Sequence, residues 1–190
     1  MSNDSALTVD VLAGQIQDLQ RQVDDMKSNS LPEDKLSMVV FSGELDKLLA
    51  AFIIATGAAA MFDEVVMFFT FWATPALRDP KKSGKGKDLM ATMFGWMLPK
   101  GSQKLKLSNM HMAGLGTGMM KGLMKKKNVM SLEKLIQTAG ESGVKIYVCQ
   151  MSMDLMGFTK EELIDYPDMK LAGVAKFLQE AGSSKSTLFI

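Results

Sequence analysis

Val9, Leu12, Ile16, Leu19, Val23 and Met26 recur along the chain at steps of 3, 4, 3, 4 and 3, with Gln, Asp, Arg and Lys between them. That spacing is a heptad seam and predicts an amphipathic N-terminal helix within residues 1–30. A helix of two and a half heptads is marginal alone in water, so the seam is expected to pack on sister chains or on the body of its own chain. Ser28-Asn29-Ser30-Leu31-Pro32 then breaks the pattern with turn formers and a proline, which marks a linker into residues 31–190.

Beyond the linker the heptads give way to short apolar runs. Residues 35–41 predict a first strand and Ser42-Gly43 the turn after it. Residues 46–62 have the length and composition of a helix. Their uncharged part, residues 48–62, is shorter than the roughly 20 residues a bilayer crossing needs, so a buried helix packed on a sheet is expected. Asp63-Glu64 separates it from Val65-Val66-Met67-Phe68-Phe69-Thr70-Phe71, a continuous run of the kind a central parallel strand shows when both its faces are covered. Strand, helix and strand in this order form a βαβ unit with a right-handed crossover.

Residues 74–107 read as an insertion. Breaker and charge clusters flank a Met-rich island at residues 89–98, suited to a lid, an oligomer contact or a short surface helix. Gly114, Gly116 and Gly118 follow, without the spacing of a dinucleotide fingerprint or a P-loop, and predict a glycine-rich loop at a site mouth. Lys121, Lys125, Lys126 and Lys127 read as a solvated helix face. Ser131 is an N-cap for a helix over residues 132–137 that the glycines at 140 and 143 close. Further on, Thr159-Lys160-Glu161-Glu162 matches a capping box opening a helix through Ile164, residues 173–180 form another helix, and residues 186–190 a last strand. The alternation defines an α/β class with an open, mostly parallel sheet and helices on both faces, plus the N-terminal heptad helix.

Chemistry concentrates at Val144-Lys145-Ile146-Tyr147-Val148-Cys149. The β-branched run predicts a buried strand whose carboxyl end carries the only cysteine of the chain, and open α/β sheets bind ligands outside those ends. A helix starting near Ser152 would aim its amides at the sulfur and stabilise a thiolate. A small buried core residue is the competing role for Cys149. A single cysteine excludes an intrachain disulfide framework and suits a reducing compartment. The first residues lack the basic and apolar regions of a secretory signal, and a cytoplasmic protein is expected. With 47% hydrophobic and 23% charged residues the chain is globular, and its net charge of +1 argues against nucleic-acid binding.

The stretch Cys149-Gln150-Met151-Ser152-Met153-Asp154-Leu155-Met156-Gly157, together with Phe68-Phe69-Thr70-Phe71-Trp72, the Met-rich residues 90–99, Ser131-Leu132-Glu133-Lys134-Leu135-Ile136, Glu161-Glu162-Leu163-Ile164 and Thr187-Leu188-Phe189-Ile190, resembles the DsrE/DsrF/TusD-like sulfur-relay family, in its second DsrE-type subgroup. The resemblance covers residues 36–190. It implies a flavodoxin-like subunit that assembles into homo-oligomers, trimers or hexamers, and carries sulfur as a persulfide on the cysteine matching Cys149. Sulfur donor and acceptor proteins, rhodanese-like or TusA-like, are the implied partners, and some relatives associate with membranes. The peroxiredoxin-like label often given to the subgroup lacks support here, because the chain has neither a Thr-x-x-Cys pattern nor a second cysteine to resolve a sulfenate.

The leading expectation is a sulfur carrier in which Cys149 exchanges a sulfane sulfur, with Gln150, Ser152, Gly114, Gly116 and Gly118 as site support and Asp154 as a helix cap. No motif calls for a cofactor or a resident metal. The alternatives are a Cu(I)-binding protein using Cys149, Met151, Met153 and Met156 with Met110, His111 and Met112, the ligand types that select that ion, and a non-catalytic assembly subunit whose heptad helix recruits partners.

Overall fold

The computed structural model describes residues 3–30, 32–84, 93 and 95–190, with the side chains of the first helix described over residues 11–26. The chain divides into two compact units, Met1–Glu33 and Asp34–Ile190. The first unit is the helix α1 (Asn3–Ser30). Along it the seam residues Leu12, Ile16, Leu19 and Val23 are 54, 56, 59 and 41% exposed.

The second unit is built on five strands: β1 (Glu33–Val40), β2 (Glu64–Phe69), β3 (Lys145–Cys149), β4 (Met169–Ala172) and β5 (Ser184–Phe189). They lie in the order β4-β3-β2-β1-β5. The first three neighbouring pairs are parallel, with Val40 beside Phe69, Phe69 beside Val148 and Cys149 beside Ala172. The last strand continues the pattern: the Ile190 N–H donates to the Val39 carbonyl at 2.9 Å, and the Ile190 carbonyl accepts from Phe41 at 2.7 Å. The open, mostly parallel α/β sheet expected from the sequence is therefore the fold, and all its described pairs run parallel.

Successive strand residues point to opposite faces, and the two faces differ. On one, Met38, Val40, Met67, Phe69, Ile146 and Val148 pack under α2 (Leu45–Ala58) and α4 (Leu132–Glu141) in the main core. On the other, Val66, Phe68, Tyr147 and Cys149 meet Phe177 of α6 (Val174–Ser183). Ser131 caps α4 as expected, its hydroxyl accepting from the Lys134 N–H at 3.3 Å.

Three expectations are corrected and one strand is added. The run read as a strand to Phe71 stops at Phe69, and Phe71–Leu77 forms a 3-10 helix. The capping box at Thr159 is real but opens only one 3-10 turn, Lys160–Glu162. The chain is pulled straight there because Arg78 pairs with Leu163 in an antiparallel bridge and the Ile164 N–H donates to the Leu77 carbonyl at 2.9 Å. The short strand β4 was not anticipated from the sequence. The glycines at 114, 116 and 118 belong to α3 (Leu115–Lys126) and its N-cap, not to a loop. Gly116 is required there: a Cβ would stand 1.7 Å from the Met110 carbonyl oxygen. Half of the Met-rich island lies outside the described residues; Trp96 and Met97 near its end are exposed. Among the described residues, no helix is long and apolar enough to cross a membrane.

Candidate functional site

Cys149 ends β3 and is at the same time the N-cap of α5 (Gln150–Met156), which begins directly after it, two residues before Ser152. It is 5% exposed and lies in the thinner core cluster, with Val39, Ala172 and Ala181 around its edge. The geometry thus joins the two roles that the sequence left open: a strand-end cysteine that is also packed.

The loops leaving β2 and β3 are fastened together at this end of the sheet. One residue past the Phe69 and Val148 pair stand Thr70 and Cys149. The Thr70 and Ser152 hydroxyls share a hydrogen bond of 2.9 Å, and the Phe71 N–H donates to Ser152 Oγ at 3.1 Å. Ser152 is fully buried, and its hydroxyl holds α5 on the exit of β2. Phe71 adopts φ 42, an uncommon left-handed conformation for a bulky residue, and its ring sits 5.6 Å from that of Phe41. Next to it the Trp72 carbonyl approaches Gly43 so closely that a Cβ there would lie at 2.1 Å. Further out, Arg78 Nη2 donates to the Glu162 carboxylate at 2.8 Å in a pair with side chains 3% and 1% exposed, and the same carboxylate accepts the Thr159 N–H at 3.1 Å. Thr70, Phe71 and Arg78 were not singled out from the sequence. In the sequence Thr70 and Phe71 read only as the end of an apolar run and as part of the resemblance.

The other expected site residues are spread out. Gln150 and Met151 are exposed beside Cys149. Met153 and Met156 enter the main core on the opposite face of the sheet from Cys149. The donor set of the Cu(I) alternative is therefore divided by the sheet itself. Asp154 lies inside α5 and no side chain caps that helix, which corrects its assignment as a cap. Gly116 lines a cleft of about 280 Å³ with Asp46, Met110, Met112, Met119 and Leu123, among other residues, and that lining excludes Cys149. His111 is engaged locally, its Nδ1 3.2 Å from the Thr117 hydroxyl. The lysines at 121, 125, 126 and 127 are exposed, as a solvated face requires.

The face carrying Cys149 also holds a charge cluster that sequence reading missed. Glu180 of α6 accepts from Lys35 Nζ at 2.7 Å and forms an ion pair with Lys176, and the Tyr147 hydroxyl donates to it at 3.4 Å. The Lys176 ammonium stands 5.6 Å over the Tyr147 ring. Burial alone would raise the Glu180 carboxyl, but the hydrogen bonds from Lys176 and Lys35 outweigh it and hold the group at about 2.

A parallel α/β domain with one cysteine at a strand's carboxyl end defines the class. The family model that matches residues 32–189 is that of the DsrE/DsrF/DrsH-like family, and the chain belongs to this family. It is 46% identical over 156 residues to the Bacillus subtilis (strain 168) protein YrkE, covering 82% of this chain and 96% of that protein. It is 36% identical over 167 residues to the "Sulfur carrier protein DsrE2" of Allochromatium vinosum, covering 84% of this chain and all of that one. Among solved structures, the ychN protein from E. coli shares 12% identity and a TM-score of 0.47, over 82% of this chain and 99% of its own.

Proposed function

We propose that the protein is a cytoplasmic sulfur carrier that holds a persulfide on Cys149 and passes its outer sulfur to a partner. The observation that carries this reading is the position of the only cysteine, at the end of β3 and the start of α5, in a chain of the DsrE/DsrF/DrsH-like family. The name of the Allochromatium vinosum relative supports it.

In the forward step the Cys149 thiolate attacks the outer sulfur of a donor persulfide. A bond forms between Cys149 Sγ and that sulfur, the donor S–S bond breaks, and its electron pair leaves on the donor thiolate. In the second step an acceptor thiolate attacks the same outer sulfur and Cys149 leaves as thiolate. Neither step consumes an external oxidant or reductant. The chain has no second cysteine to intercept the persulfide, so the loaded form waits for an outside thiol. Protein partners of the rhodanese or TusA type fit the donor and acceptor roles. Because the sulfur is packed, transfer requires a local opening, and the Ala172-Gly173 junction between β4 and α6 beside Cys149 is the segment whose movement would expose it.

Intact-mass analysis tests the proposal. Wild-type protein incubated with a persulfide donor should gain the mass of one sulfur and lose it to a thiol acceptor. The Cys149→Ser variant should gain nothing while still folding and melting cooperatively. An unmodified wild type, or equal loading of the variant, overturns the reading.

A further inference from the structure

We infer that α1 is one strand of a parallel, two-stranded coiled coil formed with a second copy of this chain. The helix runs over 28 residues, about 42 Å at the standard rise, and its unit is compact by itself. It also lies outside the residues matched by the family model, 32–189, so it is an addition to the sheet domain and not part of what the family shares.

The pattern along α1 selects the occupant. The a positions are Val9, Ile16 and Val23, and the d positions Leu12, Leu19 and Met26. β-branched residues at a with Leu at d favour two parallel strands, whereas Ile at both, or Leu at a with Ile at d, would favour three or four. The stripe runs along a and d, with Val11 at c the one large apolar residue of 9–26 outside it. A helix that packs on a globular core carries a wider apolar face reaching e or g, but here the described e positions are Ala13 and Gln20 and the g positions Gln15 and Gln22. Those neighbours are uncharged, so two copies side by side oppose no like charges. Asp18, Asp24 and Asp25 fall at b and c, facing away from the seam. Within each helix, Gln22 Nε2 donates to Asp18 Oδ2 at 3.0 Å, which ties a residue flanking the seam to one at c. Leu12, Ile16, Leu19 and Val23, 41 to 59% exposed, are the surface that the second copy would cover.

The test uses the full chain with Cys149→Ser, so that the only cysteine is one introduced in α1. Leu12→Cys and Val23→Cys, each prepared alone, are oxidised with oxidised glutathione and run on a denaturing gel. Parallel, in-register pairing places each introduced thiol against its own copy, so each variant alone should convert mostly to a dimer that a reductant reverses. Crosslinking only in a mixture of the two variants would show an antiparallel pair and overturn the proposal, and so would no crosslinking at all. In the wild-type background, the double variant Ile16→Lys, Val23→Lys should show a twofold fall in sedimentation mass with the melting transition of the sheet domain retained. An unchanged mass, or a threefold fall, also overturns it. None of these readouts depends on whether Cys149 carries sulfur.

Discussion

The two faces of the sheet are made from the same strands and do different work. The main face is dominated by a large apolar cluster, with Phe52 and Phe69 at 1% and 0% exposure and their rings 5.8 Å apart. The second face has a few apolar residues under a single helix, and beside them Lys35, Ser37 and Glu180, bound by ion pairs and by the Ser37 and Ser184 hydroxyls at 2.7 Å. Cys149 is on this second face. A thin, partly polar layer opens at lower cost than a deep apolar core, because less apolar area returns to water. The arrangement therefore stores stability on one side and places the one thiol on the side that can yield.

The largest expected effect probes the first half of that contrast. Phe69→Ala should lower unfolding stability by about 4–5 kcal/mol, at the upper end for Phe→Ala, because strands and helices surround the ring and cannot collapse into the hole. Phe177→Ala on the second face should cost about 3 kcal/mol, since α6 can settle onto the smaller side chain. Urea melts of both variants decide it: equal losses, or a larger loss for Phe177→Ala, would mean the faces are equivalent in stability.

Next in size is the charge cluster. Glu180→Gln removes a carboxylate that pairs with buried Lys35 and should cost about 3 kcal/mol at neutral pH. The pH dependence has a defined sign. Glu180 is lowered from 4.5 to about 2 in the folded state, so its contribution is fully present above about pH 4.5 and is lost as pH falls towards 2. Wild-type stability should therefore drop over that interval more than that of Glu180→Gln, by about 3 kcal/mol. Parallel stability curves for the two proteins between pH 5 and about 2 would show that the carboxylate is not held as described.

A smaller effect is expected from the tie between the loops. Ser152→Ala leaves the Thr70 hydroxyl and the Phe71 N–H without the oxygen they now share, at a cost of about 2 kcal/mol. If Ser152 positions Cys149 by holding α5 against β2, the variant should also change the rate at which the thiol reacts with iodoacetamide. A stability loss with an unchanged rate would leave Ser152 a purely structural residue.

How far the sequence revealed this arrangement depended on whether a signal was local. The apolar runs of β1, β2 and β3 and the Ser131 cap could be read directly, because alternation and capping act within a few residues. The strand β4 could not: Met169-Lys170-Leu171-Ala172 is four residues long and only partly buried, so its pattern carries little weight. The capping box at Thr159 promised a helix that Arg78, 84 residues away from Glu162, cuts short. The site was legible to the same extent. The strand end of Cys149 follows from the run before it, while the hold of Thr70 on Ser152, 82 residues apart, and of Lys35 on Glu180, 145 apart, exists only once the sheet has formed.

The smallest expected effect is at Cys149 itself, and it sharpens the comparison most. If the thiol were a structural part of a tight core, truncating it would be costly in the manner of Phe69. In the second-face cluster, Cys149→Ala removes one sulfur atom from a layer that one helix covers, and should cost about 1 kcal/mol. Cys149→Ser keeps the size but buries a hydroxyl among Val66, Phe68 and Phe177, so it should be slightly the less stable of the two unless the hydroxyl finds a backbone partner. Both should retain the wild-type fold by circular dichroism and lose sulfur loading entirely. A loss of 3 kcal/mol or more in Cys149→Ala would return the residue to the load of the core, and would mean that the second face is as tightly committed to stability as the first.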